Sequence, residues 1–312
     1  MSKVVIIGGG GRVGSNAAYA LQCMGKVREL VLIDANEDLA RGEALDLMHG
    51  APFVGDQVIR AGDYSDVSDS DCVVITAGSR RKPDESRLDL VNRNVSIFRS
   101  IISQVASAGV PSHCMVHVVS NPVDLLTRLA AAHLPNHPVG LVTGLGTVLD
   151  SLRFRAHISK HGGLPSSQVT ALMLGEHGDS MVAVWSAVQC AGMPITSFKG
   201  FSTAEAADLE KKTRGAGAEV IRQKGGAGYA VGIAIAEVVH SFLLDQRRIL
   251  PISTIQQGTY GVRDVSYSVP TVLGRSGVMQ HLEIDLWQKE KEGLIRSAEV
   301  LEQAWQNLPS GS

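Results

Sequence analysis

The chain of 312 residues is 44% hydrophobic and 19% charged, with a formal net charge of −2. It can bury a large core, normally divided between two lobes. It has no electrostatic footprint for nucleic acid or an anionic membrane, and no apolar run nears the roughly 20 residues of a membrane span.

In chain order, residues 4–7 are a continuous apolar run, as expected of a parallel strand buried on both faces. No signal-peptide apolar region precedes it. Cys23, Cys72, Cys114 and Cys190 are dispersed without a CxxC pair. Neither a zinc cluster nor a disulfide framework is expected, no metal is called for, and the expected location is the reducing cytoplasm.

The first strand leads into Gly9-Gly10-Gly11-Arg12-Val13-Gly14, and residues 15–24 read as a helix. A strand over 30–33 ends at Asp34, which follows Gly14 by 20 residues. Helical patterns over 38–48 and 88–107 then alternate with strand patterns over 58–61, 72–76 and 115–119. This order predicts an α/β fold, a Rossmann-type doubly wound parallel sheet. A glycine-rich turn by itself is weak evidence, but between a strand and a helix it makes a dinucleotide site. Gly9 makes the turn, Gly11 lets the backbone approach a pyrophosphate, and Gly14 lets the helix pack on the sheet. Asp34 accepts hydrogen bonds from a ribose and repels a 2′-phosphate, which favours NAD over NADP. Thr76-Ala77-Gly78 and Val119-Ser120-Asn121-Pro122 end two later strands, where open α/β sheets bind ligands. Either is a plain turn in isolation; their position points to cofactor contact, with the Asn121 amide at the nicotinamide end.

Residues 79–87 form a polar loop, and residues 146–154 begin a helix. Asp150 and Arg153, three apart, share one face of that helix. Taken alone they are equally a capping box, Thr147-x-x-Asp150, with a surface ion pair. A strand over 169–174 delivers Leu174-Gly175-Glu176-His177-Gly178-Asp179-Ser180, an imidazole between two glycines. Histidine is the side chain best suited to exchange a proton near neutral pH. A strand over 182–187 follows, then helices over 204–223 and 229–244 broken by Gly225-Gly226-Ala227-Gly228. In a last helix over 288–306, Leu294, Ala298, Leu301 and Trp305 recur at helical spacing, as core residues do. The expected division is a cofactor-binding domain over 1–143 and an α+β substrate-binding, catalytic domain over 144–312.

With Arg81, Arg87 and Asn94, and with Asp264-Val-x-x-Ser268-Val-Pro270, these segments resemble the L-lactate/L-malate dehydrogenase family over nearly the whole chain. The resemblance implies NAD held at Gly9, Gly10, Gly11, Arg12, Val13, Gly14, Asp34, Thr76, Ala77, Gly78, Asn94, Val119, Ser120 and Asn121. It implies that His177 donates and accepts the proton with Asp150 as its partner, and that Arg153 grips the substrate carboxylate. Arg87 would polarise the carbonyl from a closing loop, and Asn121 would touch substrate as well as cofactor. A homo-oligomer, dimer or tetramer, is implied too. The chemistry is consistent: a 2-oxo acid needs a hydride at carbon and a proton at oxygen. A carboxylate beside an imidazole favours the protonated ring, and an arginine fork suits a carboxylate.

Six residues before Arg87, the family's lactate enzymes usually carry glutamine and its malate enzymes arginine; here the residue is Arg81. Ala227 stands where lactate enzymes usually have threonine, leaving room for a longer acid. The chain is therefore expected to be most like the lactate-dehydrogenase-like malate dehydrogenases. It would interconvert (S)-malate and oxaloacetate with NAD, a tricarboxylic acid cycle reaction. Arg80 resembles an arginine of the lactate enzymes, and an L-lactate or broad-range 2-hydroxy-acid dehydrogenase is the alternative. A non-catalytic NAD-binding sensor is the remote one, because His177, Asp150, Arg153 and Arg87 are all present. No tyrosine is followed four residues later by lysine, which excludes a short-chain dehydrogenase.

Overall fold

The computed structural model describes residues 2–79 and 87–308, with Arg87 and Leu88 described by backbone alone. The first half runs β1 (Lys3–Ile7), α1 (Arg12–Met24), β2 (Glu29–Ile33), α2 (Glu37–Val54), β3 (Val58–Ala61) and β4 (Cys72–Ile75). It continues through α3 (Arg87–Ala108), β5 (Met115–Val118), α4 (Val123–His133) and β6 (Val142–Gly144). These six strands are parallel, in the order β3-β2-β1-β4-β5-β6. The order reverses between β1 and β4, which opens a crevice at the carboxyl ends of the strands.

Alternation along the strands builds the two layers. Val4, Ile6, Leu30, Leu32 and Val74 point to the face covered by Ala17, Leu21 and Ala44, while Val5, Ile7, Val31, Ile33 and Val73 meet Phe98, Ile102 and Leu126 on the other. The apolar runs lack polar alternation because both faces are covered.

The second half contains α5 (Val148–Gly162), β7 (Val169–Thr170), β8 (Met173–Leu174), β9 (Val182–Ala183), β10 (Gln189–Cys190), β11 (Met193–Pro194), α6 (Thr203–Lys224) and α7 (Tyr229–Leu243). It ends with β12 (Arg248–Leu250), β13 (Ser253–Gln257), β14 (Arg263–Ser268), β15 (Thr271–Gly274), β16 (Gly277–His281) and α8 (Gln288–Gln306). The β13–β14 hairpin pairs antiparallel with β6 and extends the main sheet to eight strands. Three small antiparallel sheets, β7-β10-β11, β8-β9 and β12-β15-β16, complete the α+β half. Apolar nearly all round, α7 is buried over most of its length, with Tyr229 and Ile233 left exposed. It packs on α1 so closely that a Cβ at Gly232 would lie 2.6 Å from the carbonyl oxygen of Asn16.

Two strand expectations are corrected. The run 169–174 is two short strands, because Val169–Thr170 pairs with β10 whereas Met173–Leu174 pairs with β9. The run 182–187 keeps only Val182–Ala183 as strand and turns into a 3-10 turn at Trp185–Ala187. A short apolar run announces burial, and its hydrogen-bonding partner decides where it bends.

Candidate active site

The glycine turn sits at the carboxyl end of β1. A Cβ at Gly14 would stand 2.2 Å from the carbonyl oxygen of Gly8, so no larger residue fits between α1 and the turn. No side chain caps α1 at Gly11, which leaves its first-turn N–H groups available to an anion. Asp34, at the end of β2, accepts hydrogen bonds from the N–H of Gly10 at 3.1 Å and of Asn36 at 3.0 Å. Its carboxylate is thereby fixed beside the turn while remaining partly exposed. A closed cradle beside a helix start, with a carboxylate at the neighbouring strand end, fits NAD. The Arg12 guanidinium reaches the other half of the chain, donating to the carbonyls of Lys224 at 2.7 Å and Gly226 at 3.0 Å.

The ends of β4 and β5 are laced together. Thr76 Oγ1 donates to Ile7 and Gly8 carbonyls at 3.1 and 3.2 Å, and Ser120 Oγ to the carbonyl of Ala77 at 2.5 Å. Asn94, buried on α3, accepts from the N–H of Ser79 at 2.8 Å and donates to the carbonyl of Asn121 at 3.1 Å. Both ends of its amide are thus engaged with the two strand-end loops. Val119 is buried in the core, whereas the Asn121 side chain is exposed at the sheet's carboxyl edge. Gly78 lies between Asn94 and Ser120.

The helix and loop expected to carry proton chemistry meet in space. Thr147 Oγ1 donates to the carbonyl of Met173 at 2.5 Å, and the N–H of Met173 to Ser151 Oγ at 2.9 Å. These bonds seat β8 on the start of α5 and bring His177 to Asp150. Asp150 is 1% exposed; its Oδ2 lies 2.5 Å from His177 Nδ1, and its Oδ1 accepts from Arg153 Nη1 at 2.9 Å. The capping-box alternative is excluded, because the Thr147 hydroxyl turns to Met173 and the Asp150 carboxylate to His177 and Arg153.

Electrostatics follow from this packing. Burial opposes a charged imidazole at His177, but the charge and hydrogen bond of Asp150, with the charge of Asp124, outweigh it and raise the ring to about 9. Arg153 works weakly the other way. Burial would push the Asp150 carboxyl up, yet His177 and Arg153 hold it below the usual carboxylate range. With Nδ1 turned to Asp150, Nε2 is the ring nitrogen left for a substrate. The side chains of His177 and Arg153 are 24% and 17% exposed, enough to be reached.

Two of the groups that hold the histidine loop, Asp124 and Ser297, are not singled out by the sequence. The N–H of His177 donates to Asp124 Oδ2 at 2.7 Å, and that of Glu176 to Ser297 Oγ on α8 at 2.7 Å. Gly175 exchanges backbone hydrogen bonds of 2.9 and 3.0 Å with Ser268. One signal was present for Asp124: it is a lone acid among apolar residues, two positions after the Asn121-Pro122 pair. Arg81 and Arg80 lie outside the described residues, as does the side chain of Arg87, whose backbone starts α3.

Residues 2–140 match the family model for the lactate/malate dehydrogenase NAD-binding domain, and residues 147–308 that for the lactate/malate dehydrogenase alpha/beta C-terminal domain. An L-lactate dehydrogenase of Synechococcus sp. (strain JA-3-3Ab) is 42% identical over 299 residues, covering 95% of this chain and 96% of that protein. An L-lactate dehydrogenase of Thermoanaerobacter sp. (strain X514) is 41% identical over 313 residues, 99% of each chain. Among solved structures, the minor L-lactate dehydrogenase of Enterococcus mundtii, in a ligand-bound form, superposes with a TM-score of 0.93 at 34% identity, covering 99% of both chains.

These relatives overturn the malate/oxaloacetate expectation, the malate dehydrogenase label and the place in the tricarboxylic acid cycle. Two residues carried that expectation. Arg81 is a single residue type at one position outside the described residues, and an arginine there does not by itself require a second substrate carboxylate. Ala227 is partly buried and packs against the core.

Proposed function

This chain belongs to the lactate/malate dehydrogenase family, and we propose that it is an NAD-dependent L-lactate dehydrogenase interconverting L-lactate and pyruvate. The observation that carries the dehydrogenase reading is the Asp150–His177–Arg153 constellation beside the carboxyl edge of the sheet, and the choice of L-lactate is supported by the relatives at 41–42% identity. The glycine turn 9–14, Asp34 and the loops ending at Gly78 and Asn121 would hold the cofactor, which supplies or takes up the hydride when bound. His177 Nε2 gives a proton to the carbonyl oxygen during reduction and recovers it during oxidation. Asp150 holds the ring by Nδ1 and stabilises its charged form. Arg153 grips the carboxylate through parallel charge-assisted hydrogen bonds, and Arg87 stabilises charge developing on the carbonyl oxygen.

Measuring NADH oxidation with pyruvate and oxaloacetate in parallel tests the assignment. The higher kcat/KM is expected with pyruvate; an equal or higher value with oxaloacetate would sink it. The pH dependence is a separate check. A histidine raised to about 9 keeps its proton below that pH and loses it above. Pyruvate reduction is therefore expected to hold through neutral pH and fall through an alkaline limb near 9. A limb in the ordinary histidine range, near about 6.5, would contradict the role given to Asp150.

Homo-oligomerisation is part of the proposal, supported by large apolar side chains left exposed at Leu45, Met48 and Phe53 on α2 and at Tyr229 and Ile233 on α7. Among the described residues no helix is long and apolar enough to cross a membrane. A cytoplasmic location is supported by the four free thiols.

A further inference from the structure

Asp124 lies in the first turn of α4, 3% exposed, between Val123 and Leu125. Burying a carboxylate there is costly, and the apolar packing around α4 gains nothing from it. Each oxygen takes one short hydrogen bond: Oδ1 from Ser253 Oγ at 2.5 Å and Oδ2 from the His177 N–H at 2.7 Å. Ser253 Oγ lies 3.0 Å from Ser266 Oγ, so the β13–β14 hairpin backs the carboxylate. Among the described residues no lysine or arginine forms an ion pair with Asp124. Asp150, in contrast, divides its charge between His177 and Arg153.

We propose that Asp124 is a second acidic positioning residue for the proton relay. It anchors the backbone of the loop that carries His177 and, with Asp150, supplies the negative charge that keeps the imidazole protonated. The proposal rests on the reading of His177 as the proton donor. Among the described residues, the charged groups that act most strongly on His177 are Asp150 and Arg153 from α5 and Asp124 from α4, while Glu176, on the loop itself, acts on Asp124. The two aspartates favour the imidazolium and Arg153 opposes it. Burial pushes the Asp124 carboxyl up to about 6, against the hydrogen bonds from Ser253 and His177. It is therefore ionised at the alkaline pH where His177 titrates.

The test is the pH profile of kcat/KM for pyruvate reduction in Asp124→Asn, Asp124→Ser and Asp124→Glu, with NADH affinity followed by fluorescence. The two neutral variants are expected to move the alkaline limb toward acid by about one unit, with NADH binding unchanged. Serine is smaller than asparagine and brings no amide group, so it serves if the new amide crowds Ser253. The glutamate variant, which keeps the charge but displaces it, is expected to return the limb toward its original position while kcat stays reduced. A limb that stays in place in a folded neutral variant, including a uniform fall in rate at every pH, overturns the proposal and leaves Asp124 a structural role alone. His177→Gln separates the two readings. If it keeps full turnover, the proton-donor assignment itself fails; if it is inactive while the Asp124→Asn limb is unmoved, only the present inference fails.

Discussion

Replacing His177 by glutamine is expected to lower kcat/KM for pyruvate reduction by about 10²–10⁴, the range that a positioned general acid contributes. Glutamine has a similar reach and can still hydrogen-bond Asp150, but it cannot deliver a proton at neutral pH. NADH affinity should hold, because His177 stands on the α5–β8 side of the site and not at the glycine turn. The thermal midpoint should fall, since buried Asp150 loses the charge of its His177 partner and keeps only the 2.9 Å bond from Arg153 as a charged contact. Steady-state kinetics with NADH titration and a melting curve check all three points. Activity retained within tenfold would show that the proton comes from elsewhere, and the assigned chemistry would fall with it.

Arg153→Leu should produce a loss of similar size by a different route. Two charge-assisted hydrogen bonds to a carboxylate, each worth about 1.5–3 kcal/mol, amount to about 10²–10⁴ in kcat/KM at about 1.4 kcal/mol per tenfold. Because the carboxylate is held in the ground state and in the transition state alike, most of the loss should appear in KM. Arg153→Lys should recover only part of it, since an ammonium restores charge without the planar fork. The leucine variant also removes a positive charge that works against protonation of His177, so its remaining activity should persist to higher pH than in the parent. An unchanged KM for pyruvate would remove Arg153 from substrate binding. The substitution also deprives buried Asp150 of one partner, so a lower melting temperature is expected alongside.

Much of the cofactor end is legible in the chain because its chemistry is local. The strand, the glycine turn, the helix and Asp34 follow one another within the first 34 residues, and backbone geometry forces the glycines wherever α1 meets the turn. Asp150 and Arg153 are legible as a pair for the same reason, three residues apart on one helix. Asn94 is expected at the cofactor, and in the structure its amide ties Ser79 to Asn121, a contact between loops that no spacing announces. The substrate expectation failed because it was placed on Arg81 and Ala227, single side chains whose meaning depends on what they face.

The amino-acid sequence by itself determined the doubly wound sheet, the glycine turn after its first strand and the residue types that the proposed proton relay uses, because each is written in the periodicity or spacing of a short segment. Only the tertiary structure decided that Asp150 meets His177, and that Asp124 from α4, Ser268 from β14 and Ser297 from α8 hold the loop in place. Those contacts join elements distant in the chain. Their register is set by how helices and strands pack, and a linear pattern carries no record of it.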